Sequence, residues 1–238
     1  MKRIGISLSL RHDREDQDYL NCSYARYFCH LGWMPLLIPN GLTDPCSYVT
    51  EFAVQAILLS GGHDEVRGVD SPGLSVDSYR DRTERHLIDW AIRTRTPVLG
   101  ICRGMHLLNA YMGGTVSFDV AATGVARTSH VACKHSIQLC HDHTRDTAGA
   151  TDMLVNSYHR HGISLAALGR DMLPFALSSD DPDLVEGLMH RTLPLAGIQW
   201  HPERDSPYDH LSSRLVAAFL DPTWWRLAFN ESDHPSCR

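Results

Sequence analysis

The chain has 238 residues, of which 43 % are hydrophobic and 21 % charged; this is enough for one large domain with a real core and speaks against disorder over most of its length. A formal charge of −6 with no Lys/Arg-rich run excludes a nucleic-acid footprint, and no apolar stretch approaches the roughly 20 residues that span a bilayer. The seven cysteines are odd in number and form no CxxC pair, which points to a reducing cytoplasm and away from a disulfide framework.

The opening MKRIGISLSL has too short an apolar run for a signal peptide and meets the charged RHDREDQD at once, so Arg3 to Leu10 is predicted as a core strand. Asn21 to Leu31 has helical spacing and ends at Gly32. Pro35 to Ile38 and Ala53 to Leu59 are predicted strands, the second running into Ser60-Gly61-Gly62. Asp81 to Thr94 is a predicted helix, Pro97 to Ile101 a short buried strand, and Gly104 to Met112 a helix closed by Gly113-Gly114. Further strands are expected at Ser136 to Leu139, Met153 to Val155, Phe175 to Ser178, Leu184 to Met189 and Leu195 to Gln199. Helices are expected at Leu211 to Phe219 and Trp224 to Phe229. Apolar runs alternating with amphipathic segments predict an α/β fold: a mixed, mostly parallel sheet flanked by helices on both faces. One domain over residues 1–230 and a tail over 231–238 follow.

The segment PVLGICRGMHLLNAYMGG places a cysteine where a strand turns directly into a helix. Gly100 and Gly104 flank Cys102, and a helix N-terminus favours negative charge on the group it carries. Cys102 is therefore the candidate nucleophile, and the helix-start N–H of Arg103 is a candidate oxyanion donor. LAGIQWHPERDSP supplies the base, His201, and its orienter, Glu203; in an extended chain the two share a face. The strand that ends in Ser60-Gly61-Gly62 offers the second oxyanion donor at Gly62. HDH at His141 to His143 and HRH at His159 to His161 supply only pairs, so no metal site is expected from spacing.

Taken together, GICRGMHLLN, GIQWHPE and SGG resemble the motifs of the class I glutamine amidotransferase superfamily, in matching order over roughly residues 3 to 220. Within it the chain most resembles the γ-glutamyl-γ-aminobutyrate hydrolase-like (peptidase C26-like) group. The cues are VDSYRDRTERHLIDWAI, Arg103, VNSYHRHGI and DPDLVEGLMH. The resemblance implies a flavodoxin-like amidotransferase fold and a Cys102, His201, Glu203 triad that cleaves a γ-glutamyl amide through a thioester. It implies no cofactor, a small γ-glutamyl substrate as partner, and leaves a homodimer open. Gly61, His106, Ser157, Tyr158 and His159 are the implied substrate-binding residues. His106 and His161 stand where that family often has Gln, which bears on the leaving group. Arg67, Arg80, Arg103 and Arg160 are candidates to face an anionic leaving group, and Gly62 to Ser78 is the span available for an active-site loop. A γ-glutamyl-CDP-amidate hydrolase is the leading alternative, and a glutaminase subunit feeding ammonia to a partner synthetase the next.

Overall fold

The computed structural model describes residues 1–11, 14–62, 79–127 and 130–230. The first elements are β1 (Lys2–Ser7), β2 (Ser9–Arg11), β3 (Arg14–Tyr19), α1 (Cys22–His30), β4 (Trp33–Ile38), α2 (Pro45–Glu51) and β5 (Ala56–Leu59). Next come α3 (Tyr79–Thr94), β6 (Val98–Ile101), α4 (Arg103–Tyr111), β7 (Val131–Leu139), α5 (Asp142–Ala148), β8 (Asp152–Tyr158) and β9 (Ile163–Ser164). The last are β10 (Met172–Ser178), β11 (Leu184–His190), β12 (Leu195–Ile198), α6 (His210–Phe219) and α7 (Pro222–Asn230).

Ten strands form one mixed sheet in the order β4-β1-β5-β6-β12-β11-β10-β7-β8, with β9 paired to β11; β2 and β3 form a separate hairpin. From β4 to β12 all ladders are parallel, and from β12 to β8 all are antiparallel. The parallel strands AILL of β5 and VLGI of β6 are buried along their whole length, as strands covered on both faces must be. Their side chains alternate between two cores. Ala56, Leu58, Leu99 and Ile101 pack with Tyr27 and Phe28 of α1 and Val216 and Phe219 of α6. Ile57, Leu59 and Val98 pack on the opposite face with Leu87, Ile88 and Ala91 of α3 and Leu107 and Leu108 of α4. Helices therefore cover both faces.

This layout sets the site. The adjacent strands β5, β6 and β12 release their chains at one edge, into Ser60-Gly61-Gly62, Cys102 and Gln199-Trp200-His201 respectively. In open α/β sheets ligands bind beyond the carboxyl ends of the strands. The antiparallel extension then brings the end of β8 to the same edge.

Local chemistry accounts for most element ends. Asn21 caps α1 by accepting from the Ser23 N–H at 2.9 Å, and Gly32 follows its last turn at φ +81°. Asp44 caps α2 ahead of Pro45 at the first position. Four elements, α2, β3, α5 and β9, have no counterpart among those expected from the sequence. Strand β7 extends back to Val131 and β8 runs on to Tyr158. No helix among the described residues is long and apolar enough to cross a membrane. The six described cysteines are free of disulfides. The tail 231–238, the loop residues 63–78 including Arg67, and Cys237 lie outside the described residues.

Candidate active site

The turn after β6 is built around contacts that only glycine permits. A Cβ on Gly100 would lie 2.4 Å from the Gly104 carbonyl carbon, and one on Gly104 would lie 2.2 Å from the Leu59 carbonyl oxygen. Helix α4 thus starts in direct backbone contact with β5. Cys102 sits between them at φ 52°, ψ −105°, a strained conformation for a residue with a side chain, and its N–H donates to the Ile198 carbonyl at 2.8 Å. A strand thus turns directly into a helix at Cys102, as the motif led one to expect.

His201 is delivered by β12 and is 2 % exposed. Its Nδ1 lies 2.7 Å from Glu203 Oε1. The pair is brought together by a 3-10 turn over Pro202–Arg204, not by the extended chain expected from the sequence; Pro202 starts the turn and folds Glu203 back onto the ring. Burial alone would push the His201 pKa down. The Glu203 carboxylate and the hydrogen bond and charge of Cys102 override it and raise the pKa to about 9. The imidazolium is therefore the resident form at neutral pH. The backbone of His201 is clamped by Asn156, which accepts from the His201 N–H at 2.9 Å and donates through Nδ2 to its carbonyl at 2.7 Å. Asn156 belongs to the VNSYHRH motif, yet the motif alone does not single it out; its signal is the amide side chain itself, which can satisfy both backbone groups of one neighbour.

A cleft of ≈ 330 Å³ opens at Cys102 and is lined by Gly62, Arg103, His106, Tyr158, His159, Arg160 and His161 among others. The candidate oxyanion pair, Gly62 and Arg103, thus flanks the thiol from two loops. The first N–H groups of a helix have no partner in their own helix, and Arg103 is the first residue of α4. His106 Nε2 lies 2.7 Å from Gln199 Oε1, and burial pushes its pKa down to about 3. His159 Nδ1 donates to the His161 carbonyl at 2.9 Å, and burial lowers its pKa to about 4. Both rings line the cleft as neutral hydrogen-bonding groups. Tyr158 is exposed, and the Arg204 guanidinium stacks 4.7 Å over its ring.

Two implied substrate-binding residues are turned away. The Gly61 N–H donates to Tyr24 Oη at 2.9 Å, while its carbonyl accepts from Ser9 and Arg80. Gly61 serves packing instead: a Cβ there would lie 2.8 Å from His201 Cε1. Ser157 is fully buried and donates to the His130 carbonyl at 2.6 Å, joining β8 to the segment before β7.

The arginines are also redistributed. Arg80 is fully buried, its Nε 2.9 Å from Glu84 Oε1 and its Nη2 2.6 Å from the Ser60 carbonyl. The Arg103 guanidinium points into the protein, onto Glu84 and Asp81. Glu84 takes up both side chains and ties the Cys102 turn to the Ser60-Gly61 turn. Burial would raise the Glu84 pKa, but Arg103 and Arg80 hold it below its ordinary value. At the less buried Asp81 the desolvation wins and the carboxyl is raised. Arg160 is exposed at the cleft and is the described candidate that remains for an anionic group.

A buried cysteine at a strained elbow thus stands beside an imidazole held by a carboxylate, at the carboxyl edge of a doubly wound sheet. Residues 4–203 match the Peptidase C26 family model, and the chain belongs to that family. Membership makes it a hydrolase of C–N amide bonds. The chain is 30 % identical over 234 residues to PB2B2.05 of Schizosaccharomyces pombe, a protein provisionally named a glutamine amidotransferase, covering 93 % of this chain and 87 % of that one. It is 26 % identical over 180 residues to the gamma-glutamyl-CDP-amidate hydrolase of Campylobacter jejuni, covering 74 % and 78 %. A glutamine-hydrolyzing GMP synthase subunit of Methanospirillum hungatei matches at 32 % over 167 residues, covering 70 % and 72 %. A glutamine amidotransferase structure from Thermotoga maritima superposes with a TM-score of 0.61 at 16 % identity, covering 98 % of this chain and 90 % of that one, a likeness of fold.

Proposed function

We propose that the protein hydrolyses γ-glutamyl amide bonds through a γ-glutamyl thioester on Cys102. The observation that carries this is the Cys102 elbow facing a His201 whose Nδ1 is held 2.7 Å from Glu203. In this reading His201 and Cys102 rest as an imidazolium–thiolate pair. The sulfur attacks the γ-carbonyl carbon, and the oxyanion that forms is met by the N–H groups of Arg103 and Gly62. His201 passes its proton to the leaving nitrogen as the C–N bond breaks. A water then loses a proton to His201 and attacks the thioester; the C–S bond breaks, glutamate leaves, and the thiolate is restored beside the imidazolium. Glu203 fixes the ring and stabilises its charge throughout.

The neutral ring of His106 and the cation of Arg160 border the space beside Cys102, with His159 as part of its wall. They suit the α-amino and carboxylate groups of a glutamyl moiety and an anionic leaving group at the rim. That arrangement, with the similarity to the Campylobacter jejuni enzyme, favours a γ-glutamyl nucleotide amidate among the larger amides. The similarity to the GMP synthase subunit supports a second reading, a glutaminase that supplies ammonia to a partner. The test is glutamate release from glutamine, γ-glutamyl-aminobutyrate, γ-glutamyl-putrescine and a γ-glutamyl nucleotide amidate, with Cys102→Ala as control. Release from a larger amide, lost in the variant, supports the hydrolase. Turnover of glutamine alone moves the assignment to the ammonia-supplying role.

A further inference from the structure

Behind the wall of the cleft lies a second cluster that shares only His159 with it. His130 precedes β7, His135 is on β7, His159 follows β8 and Glu186 is central in β11. All are buried: His130 is 2 % exposed, His135 8 %, His159 5 % and Glu186 0 %. Glu186 Oε1 lies 3.7 Å from His130 Nδ1, 3.7 Å from His159 Nε2 and 3.2 Å from His135 Nε2. Apart from the approach of His135 Nε2 to Glu186 Oε1, none of these atoms, nor Glu186 Oε2, makes a hydrogen bond. So many unsatisfied buried polar atoms in one place cost about 1–3 kcal/mol each unless something fills the centre.

The tautomers say what that something is. His159 Nδ1 faces the His161 carbonyl at 2.9 Å, and a carbonyl only accepts, so the proton sits on Nδ1 and the lone pair of Nε2 points at Glu186. His130 Nε2 faces Asp181 Oδ2 at 3.4 Å, which places its proton there and turns the Nδ1 lone pair inward. Two imidazole lone pairs and a carboxylate oxygen thus converge, a purely donor set that repels itself without a cation. The ligand atoms of His130, His159 and Glu186 all lie within 4.8 Å of one another. Zinc bonds of about 2.0–2.2 Å place tetrahedral ligands roughly 3.4 Å apart, so small ring rotations close the set on an ion. The outer partners are those of a metal site: each ring donates its other N–H, one to a carboxylate and one to a backbone carbonyl. Asp181 is itself held by the Arg127 N–H at 2.8 Å.

We propose that His130 Nδ1, His159 Nε2 and Glu186 bind a divalent transition-metal ion, Zn²⁺ by ligand type, with His135 alongside the carboxylate. Imidazole and carboxylate together suit Zn²⁺ rather than Mg²⁺ or Ca²⁺. The ion would fasten three segments of the antiparallel extension and hold the His159 ring at the cleft wall. The ligands come from three separate parts of the chain, which is why the spacing of the HDH and HRH pairs carries no sign of the set.

The test is Co²⁺ and Zn²⁺ titration of the metal-stripped full chain, read by visible absorption, by metal analysis after desalting, and by thermal unfolding. The site predicts one equivalent per chain, intense tetrahedral cobalt bands displaced by Zn²⁺, and a rise in unfolding midpoint on adding Zn²⁺. His130→Ala and Glu186→Gln should lose the bands, while Cys102→Ala and His141→Ala/His143→Ala should keep them. Absence of a stoichiometric ion in the wild-type chain overturns the proposal whether or not the variants fold. So does metal that persists in folded Glu186→Gln, or bands lost in Cys102→Ala, which would place it at the nucleophile.

Discussion

Glu84 offers the sharpest test of how the site is held together. It is fully buried and pairs with Arg80 at 2.9 Å and with Arg103, while Ser7 donates to it at 2.6 Å. Arg80 in turn reaches the Ser60 carbonyl, so one carboxylate links the oxyanion turn to the nucleophile turn. Glu84→Gln keeps the size and removes the charge, leaving two guanidinium groups that are 0 % and 3 % exposed without it. Breaking a buried pair from one side costs about 3–5 kcal/mol, a large share of the ~5–15 kcal/mol that holds a domain. Urea unfolding of the wild type and variant should show that loss as a lower midpoint at similar slope. The wild type should also be acid-sensitive in a defined way. The folded Glu84 pKa is depressed below its ordinary 4.5, so the charged form contributes stability above that value and loses it as the pH falls through the folded pKa. The variant should lack this part of the acid dependence. A loss under about 1 kcal/mol, or an unchanged acid profile, would refute the claim that Glu84 organises the two turns.

Gly104→Ala should prevent soluble folding or lower stability by several kcal/mol, because its Cβ would meet the Leu59 backbone oxygen at 2.2 Å and backbone cannot swing aside; soluble yield and thermal unfolding read this. The pH profile of kcat/KM should fall as the pH rises through about 9, since the raised His201 pKa keeps the imidazolium below that value and loses it above. Glu203→Gln should move that alkaline limb downward and cut kcat by about 10²–10⁴-fold by analogy with other triads. Arg160→Ala should raise KM for an anionic amide far more than for glutamine, measured by steady-state kinetics on both, because Arg160 is the described exposed guanidinium at the cleft.

The parallel half of the fold is legible in the sequence because its physics is local. Val98 to Ile101 and Ala56 to Leu59 are unbroken apolar runs closed by small residues, and such runs become buried strands whatever surrounds them. Cys102, His201 and Glu203 are legible for a related reason: each stands at the end of such a run, and the structure brings those ends to one edge of adjacent strands. Strand β3, REDQDY, is not, since its charged sequence lacks apolar alternation; it is held by its hairpin partner β2 and by Asn40, which donates to Asp18. Helices α2 and α5 are about two turns each, too brief for periodicity to mark them. The arginines mislead because nothing in DSYRDRTERH says which guanidinium points inward. That is decided by Glu84 and by Ser60, which β5 delivers from a distant part of the chain. The same holds for Gly61 and Ser157, whose polar groups are claimed by Tyr24 and the His130 carbonyl.

The central claim is covalent chemistry at Cys102, and peptide-level mass spectrometry of the acid-quenched reaction tests it most directly. With a γ-glutamyl amide that the protein turns over, a glutamyl adduct is expected on the peptide carrying Cys102, labile to hydroxylamine and absent from Cys102→Ala. Turnover that survives Cys102→Ala, or an adduct on any other cysteine, would contradict it.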